Sequence, residues 1–295
     1  MNTINISRAS DTIVRLQQLM GNLQYLSGQT DVAQVHVRDI GFVTPLSITP
    51  VAALINKKSL THDYRGENNS YLETIYFPQG VGEVEKLSLQ KTYLPIIHLP
   101  LSGLDKAASA KQLGQLSSAY LNLLKNNVIA DPLFLQLITT STFSLLLDEM
   151  IDNVQEHAGA ENVYLFAQYW KKNNSCEFCL LDDGQGLLGS LRNARREIGD
   201  SEEALRKILE TGLSAKTDYG DIRRGTGIRT TRALITNREI NGEFFLMSGD
   251  AAFLHSASQG QKFFRFSNYF WHGTIVMGKL NRPPSQFQWS DYVQR

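Results

Sequence analysis

The chain of 295 residues has only two cysteines, no excess of either charge, no long uncharged apolar run and no Walker-type G-x-x-x-x-G-K-S/T sequence. Each absence removes a class of function. Lys plus Arg and Asp plus Glu both number 29, which argues against a generalised nucleic-acid or anionic-membrane surface and leaves only a local patch open. No uncharged apolar stretch approaches the ~18 residues that span a bilayer. The N-terminal MNTINISRASDTIVRLQQLM lacks an apolar signal core and instead sets Ile13, Leu16 and Met20 at helical spacing. The expectation is a cytoplasmic protein with no membrane and no specific nucleic-acid partner. Without a Walker sequence, P-loop phosphate chemistry is excluded. The two cysteines stand as Cys176-Glu-Phe-Cys179, but SCEFCLL reads as a strand, where residues three apart point to opposite faces. Neither a disulfide nor shared chelation suits that geometry, and no second pair completes a zinc site.

What is present supports a full core: 42% of residues are hydrophobic. The first 90 residues read as a small α/β unit. It has a helix near 10–26, a strand near 32–37, a turn bracketed by Gly41 and Pro45, a helix over 47–57 and a polar loop over 58–70. From residue 91 the pattern is clearer. A strand and then a turn over Tyr93–Asp105 precede helices at 106–126 and 131–158, and strands 162–170 and 175–181 are joined by the turn Lys171–Asn174. Short helices follow at 187–197 and 201–211, then a glycine-rich loop at 212–227 and a helix at 228–237. Further strands close the domain, the last being GTIVMGKL at 273–280, and Pro283-Pro284 ends the ordered core.

Three stretches carry chemistry. On the helix 131–158, Asp148, Glu149, Asp152, Asn153, Glu156 and His157 form one polar arc opposite Leu147, Met150, Ile151 and Val154. The arc holds four carboxylates and no Lys or Arg, although solvated faces normally mix signs because like charges at i,i+4 repel. A clustered acidic face on a half-buried helix suits a cation. Asp182-Asp-Gly184-Gln-Gly186 follows a strand, placing a carboxylate and two glycines where backbone can approach a ligand. Arg223-Arg-Gly225-Thr226-Gly227 runs into a helix, where amide groups and a helix N-terminus suit phosphate oxygens.

In this order the stretches resemble the GHKL superfamily, which groups DNA gyrase B, the large heat-shock chaperone ATPases, histidine kinases and mismatch-repair MutL. The resemblance covers about residues 90–280. Glu149-Met-Ile-Asp-Asn153 is similar to the first family motif. There it implies Asn153 as a Mg²⁺ ligand and Glu149 as the catalytic general base, with His157 one turn along within reach of a phosphate. Asp182-Asp-Gly184-Gln-Gly186 is similar to the second, implying that Asp182 hydrogen-bonds the adenine amino group. Gly225-Thr226-Gly227 is similar to the end of the family's ATP lid, here about 187–227, in which Lys216, Arg223 and Arg224 can neutralise phosphate charge. Gly273-Thr274 is similar to the closing Gly-Thr, placing Thr274 near the base. The fold implied is α/β, a two-layer sandwich of helices on a mixed β-sheet (the Bergerat-type ATP-binding fold), over residues 91–295. Residues 1–90 resemble a STAS-like regulatory unit through Val35-His-Val-Arg-Asp39-Ile-Gly41-Phe-Val-Thr-Pro45, with Ser47 as the nearest serine to a phosphorylated position but more simply read as a helix cap.

The implied cofactors are ATP and Mg²⁺. The implied activity is that of a cytoplasmic regulator using ATP binding or phosphoryl transfer to control a protein partner, of STAS-domain or sigma-factor-regulator type, with homodimerisation left open. Two alternatives stand beside it: a serine/threonine kinase resembling anti-sigma-factor kinases, and a slow ATPase acting as a conformational clamp. The clamp is weakened because little chain follows the Gly-Thr strand. A true histidine kinase is disfavoured, since the only His followed by an acid, His62-Asp63, falls in a polar segment.

Overall fold

The computed structural model describes residues 3–6, 11–30, 34–39, 43–66, 69–83, 92–128, 159–212, 227–257 and 259–281. The N-terminal unit begins with strand β1 (Thr3–Ile6), helix α1 (Thr12–Ser27), β2 (Gln34–Asp39), α2 (Pro45–Lys57), β3 (Thr61–Gly66) and the short α3 (Asn69–Thr74). β2 lies between β1 and β3, and both pairings are parallel. The second region supplies β4 (Tyr93–Pro100), α4 (Lys106–Val128), β5 (Asn162–Trp170), β6 (Ser175–Asp182), α5 (Gly186–Asn193), α6 (Ser201–Thr211) and α7 (Gly227–Ile235). It ends with β7 (Glu243–Gly249), β8 (Ala251–Ser256), β9 (Gly260–Arg265) and β10 (Trp271–Asn281). These strands form one seven-stranded sheet in the order β4-β5-β6-β10-β7-β8-β9, and every pairing in it is antiparallel.

Two expectations therefore change. The large sheet is antiparallel rather than mixed, and among the described residues parallel strand pairing is confined to the N-terminal three strands, apart from an isolated parallel bridge from Val81 to Ile97 of β4. The large sheet is also covered on both faces, so it is the centre of more than two layers. One face packs under α4–α7 through Phe178, Leu180, Leu205, Leu234 and Val276. The other packs against α1 and α2 in a cluster that joins Ile4, Leu23 and Val51 to Phe166, Leu181 and Met277. Burial on both faces explains why β6 has no exposed residue. It also separates the cysteines as strand geometry requires, Cys176 into the first cluster and Cys179 into the second, both as free thiols.

α2 explains the join. It is buried from Pro45 to Ile55 on all sides, the signature of a helix inside a core. It starts two residues earlier than the sequence indicates, because Thr44 is the N-cap and Pro45 fits the first turn, where no amide partner is needed. Ser47 completes a capping box: its amide donates to Thr44 Oγ1 at 3.3 Å and its hydroxyl accepts from the Thr44 amide at 2.9 Å. Ser47 is thus a buried cap. The polar segment 58–70 holds a strand, β3, whose pairing with β2 outweighs its lack of aliphatic alternation. The helix predicted over 131–158 and the stretch ending at Pro283-Pro284 fall outside the described residues, apart from residues that belong to β10.

Candidate functional site

The antiparallel order of β6, β10 and β7 brings three distant polar residues into one row. Ile275 of β10 lies opposite Leu181, so Thr274 follows beside Asp182, and on its other side Thr274 pairs with Ser248. Alternation along β6 turns Cys176, Phe178 and Leu180 toward the helix layer, and Asp182 is in step with them. Leu246 and Val276 share that side, two residues from Ser248 and Thr274 respectively. All three polar residues are buried, Asp182 to 4% exposure.

A buried carboxylate at a strand end requires partners. Asp182 accepts the Gly184 amide at 2.9 Å and is also hydrogen-bonded by the backbone and hydroxyl of Thr274. Burial nevertheless pushes its carboxyl up to about 7, with the neighbouring Asp183 charge adding to the rise and the hydrogen bonds from Gly184 and Thr274 opposing it. Its main-chain oxygen accepts the Trp271 indole N–H at 3.1 Å. The result is an oriented acceptor whose charge state changes near neutral pH, a property that concentrates at functional sites.

The glycines around it are there for space. Gly273 has φ +109°, and a Cβ at that position would stand 2.0 Å from the Asp182 carbonyl oxygen. It sits where the β10–β7 register shifts between Trp271 and Thr274. Gly186, at φ +71°, would place a Cβ 2.5 Å from Ser248 Oγ. Ser248 ties the two glycine segments together, donating to the Gly273 carbonyl and accepting from the Leu187 amide, both at 2.9 Å. Gly184 plays a different part from the one expected, since its amide is spent on the Asp182 carboxylate.

Of the predicted site residues, Asp182, Gly184, Gly186 and Thr274 meet at this point, and Gly227 opens α7. Glu149, Asn153 and His157, with Lys216, Arg223, Arg224, Gly225 and Thr226, lie outside the described residues. Asp183, the second acid of the motif, is structural: it accepts the amides of Glu161 and Asn162 and the Asn162 side chain, at 2.9, 2.8 and 2.9 Å, and so pins the start of β5. Ser248 and Trp271 were not singled out from sequence. A serine closing the apolar strand EFFLMSG is the only mark Ser248 leaves there. No family model matches the sequence, and no curated protein matches it significantly.

Proposed function

We infer that the Asp182–Thr274 end of the site receives the base of ATP, bound with Mg²⁺, and that the chain acts as a histidine-kinase-like (GHKL) ATP-binding regulator. The observation that carries this reading is the buried Asp182 carboxylate, held by Gly184 and Thr274 at a strand end where glycines allow close backbone approach. An adenine edge presents an exocyclic amino donor beside a ring acceptor. Asp182 supplies the matching acceptor and the Thr274 hydroxyl a group able to donate. Guanine presents a carbonyl where adenine has its amino group, which a carboxylate repels. The coincidence of Asp182, Gly184, Gly186 and Thr274 agrees with the family resemblance of the sequence.

On that reading Asn153 holds the metal, with ATP and water completing its coordination. Glu149 orients an attacking water or hydroxyl. His157, Lys216, Arg224 and the Gly225-Thr226-Gly227 end of the lid face the phosphates, and a protein partner of STAS or sigma-factor-regulator type receives the signal. Incubation with γ-labelled ATP and Mg²⁺ tests this. Retained nucleotide with neither free phosphate nor labelled protein marks a binding switch, a labelled partner serine marks a kinase, and free phosphate alone marks an ATPase. Failure to retain any adenine nucleotide refutes the reading.

A further inference from the structure

We propose that a cavity of about 400 Å³, set between the C-terminal ends of α1 and α2 and the loop entering β10, binds a small planar aromatic acid. It lies on the α1–α2 side of the large sheet, where Tyr164, Tyr269 and Trp271 belong to the cluster opposite the helix layer. It is therefore separate from the Asp182 carboxylate. Its volume falls in the range of small-molecule sites, which are concave, mostly apolar and furnished with a few polar groups.

Each of its three buried rings is fixed by a tether. Tyr164 stacks on His98 at 4.3 Å between centroids with planes 6° apart, and its hydroxyl accepts the Asn56 amide at 3.4 Å. Tyr269 is hydrogen-bonded to Ser27, and the Trp271 indole N–H is held by the Asp182 carbonyl. A preset slot of rings loses little freedom when a flat ligand enters it, which favours binding. At the mouth, Phe270 is 50% exposed, with the His272 ring 5.0 Å away.

The charges around the slot select an acid. Among the described residues that line it, Lys57 and Lys58 stand with one carboxylate, that of Asp183, whose oxygens already accept three N–H groups. Lys58 donates to the Ser27 and Gln29 carbonyls at 2.6 and 2.7 Å, satisfying the end of α1. The Lys57 side chain is exposed and its ammonium has no hydrogen bond or ion pair among the described residues. Burial pushes the Tyr164 phenol up to about 12 and raises the Tyr269 phenol as well, so neither ring adds negative charge at neutral pH. An aromatic ring in the slot with its carboxylate at Lys57 uses every feature present.

Calorimetric titration with 2-naphthoate and its neutral analogue 2-naphthamide tests the site. Wild type binds the acid about three- to five-fold more tightly than the amide, the worth of one partly exposed ion pair. Lys57→Glu, at an exposed position that leaves the fold unaffected, keeps amide affinity and loses or inverts the preference. Leu54→Trp, which fills the floor, removes binding of both compounds. Asp182→Asn leaves naphthoate affinity unchanged, which keeps this result independent of the nucleotide reading. Absence of naphthoate binding to wild type, equal acid and amide affinity in wild type and Lys57→Glu, or undiminished binding in a folded Leu54→Trp variant overturns the proposal.

Discussion

Replacing Arg15 by Met tests how the N-terminal unit is joined to the large sheet. Glu177, in the middle of β6, is 1% exposed and faces α1 and α2. One of its oxygens accepts the Leu46 amide at 3.1 Å, at the start of α2. The other accepts Arg15 Nη1 at 3.2 Å. Arg15 also donates to Thr44 and Thr12, at 3.2 and 2.7 Å, and stands 3.7 Å from Glu243, which Lys279 holds at 3.0 Å. Two cations thus balance two carboxylates at the seam between the units. Met keeps much of the apolar stem of Arg but strands the Glu177 charge in the core with one amide as its partner. Breaking a buried pair in this way costs about 3–5 kcal/mol, roughly a fifth or more of the ~5–15 kcal/mol of a typical domain. Adding Glu177→Gln removes the stranded charge while its amide oxygen still accepts from Leu46. The double variant recovers all but about 1–2 kcal/mol, a positive coupling between neighbouring sites. Urea denaturation followed by circular dichroism measures both changes. Because one apolar cluster spans the two units, wild type unfolds in a single transition. A loss below 1 kcal/mol for Arg15→Met, or an early separate transition of the N-terminal unit, refutes the joined core.

The raised Asp182 carboxyl gives two pH dependences. In the apo protein its folded pKa of about 7 exceeds the unfolded value, so its stabilising contribution is complete below about pH 4 and lost as pH rises through 7, by up to about 4 kcal/mol; Asp182→Asn flattens this slope in pH-dependent denaturation. On the proposed adenine reading, the ligand amino group favours the ionised form, so ATP affinity rises by up to about tenfold per pH unit toward pH 7 and then levels, and subtraction of the Asp182→Asn profile isolates that term from titration of ATP itself. Ser248→Ala leaves the Leu187 amide and Gly273 carbonyl unpaired and lowers stability by about 1–3 kcal/mol, seen as a fall in urea midpoint. Gly273→Ala forces the 2.0 Å clash and costs more than Ser248→Ala, and equal stability to wild type contradicts the geometry.

Local patterns announced most of the second region. β5 and β6 fall almost where alternation and the Lys171–Asn174 turn put them, and α6 is marked by Asp200 capping the Glu203 amide. The strands that went unread, β1 and β3, are short and take their stability from parallel pairing with β2, a long-range event that leaves only a weak trace in sequence. Two-sided covering of the large sheet was written in α2, whose run of apolar residues without a polar face calls for burial on every side. In the candidate site, the Asp-x-Gly-x-Gly spacing pointed to Asp182 directly. Ser248 and Trp271 escaped notice because their roles depend on the β6-β10-β7 neighbour order, which no local window contains.

The most direct measurement is a calorimetric titration of the full chain with ATP and with GTP, in the presence of Mg²⁺, for wild type and Asp182→Asn. Loss of a charge-assisted hydrogen bond to the base costs about 1.5–3 kcal/mol. The variant therefore binds ATP about ten- to hundred-fold more weakly, while its affinity for GTP falls less or rises. Failure of wild type to bind ATP, or equal ATP affinity in wild type and a folded Asp182→Asn, contradicts adenine recognition at Asp182.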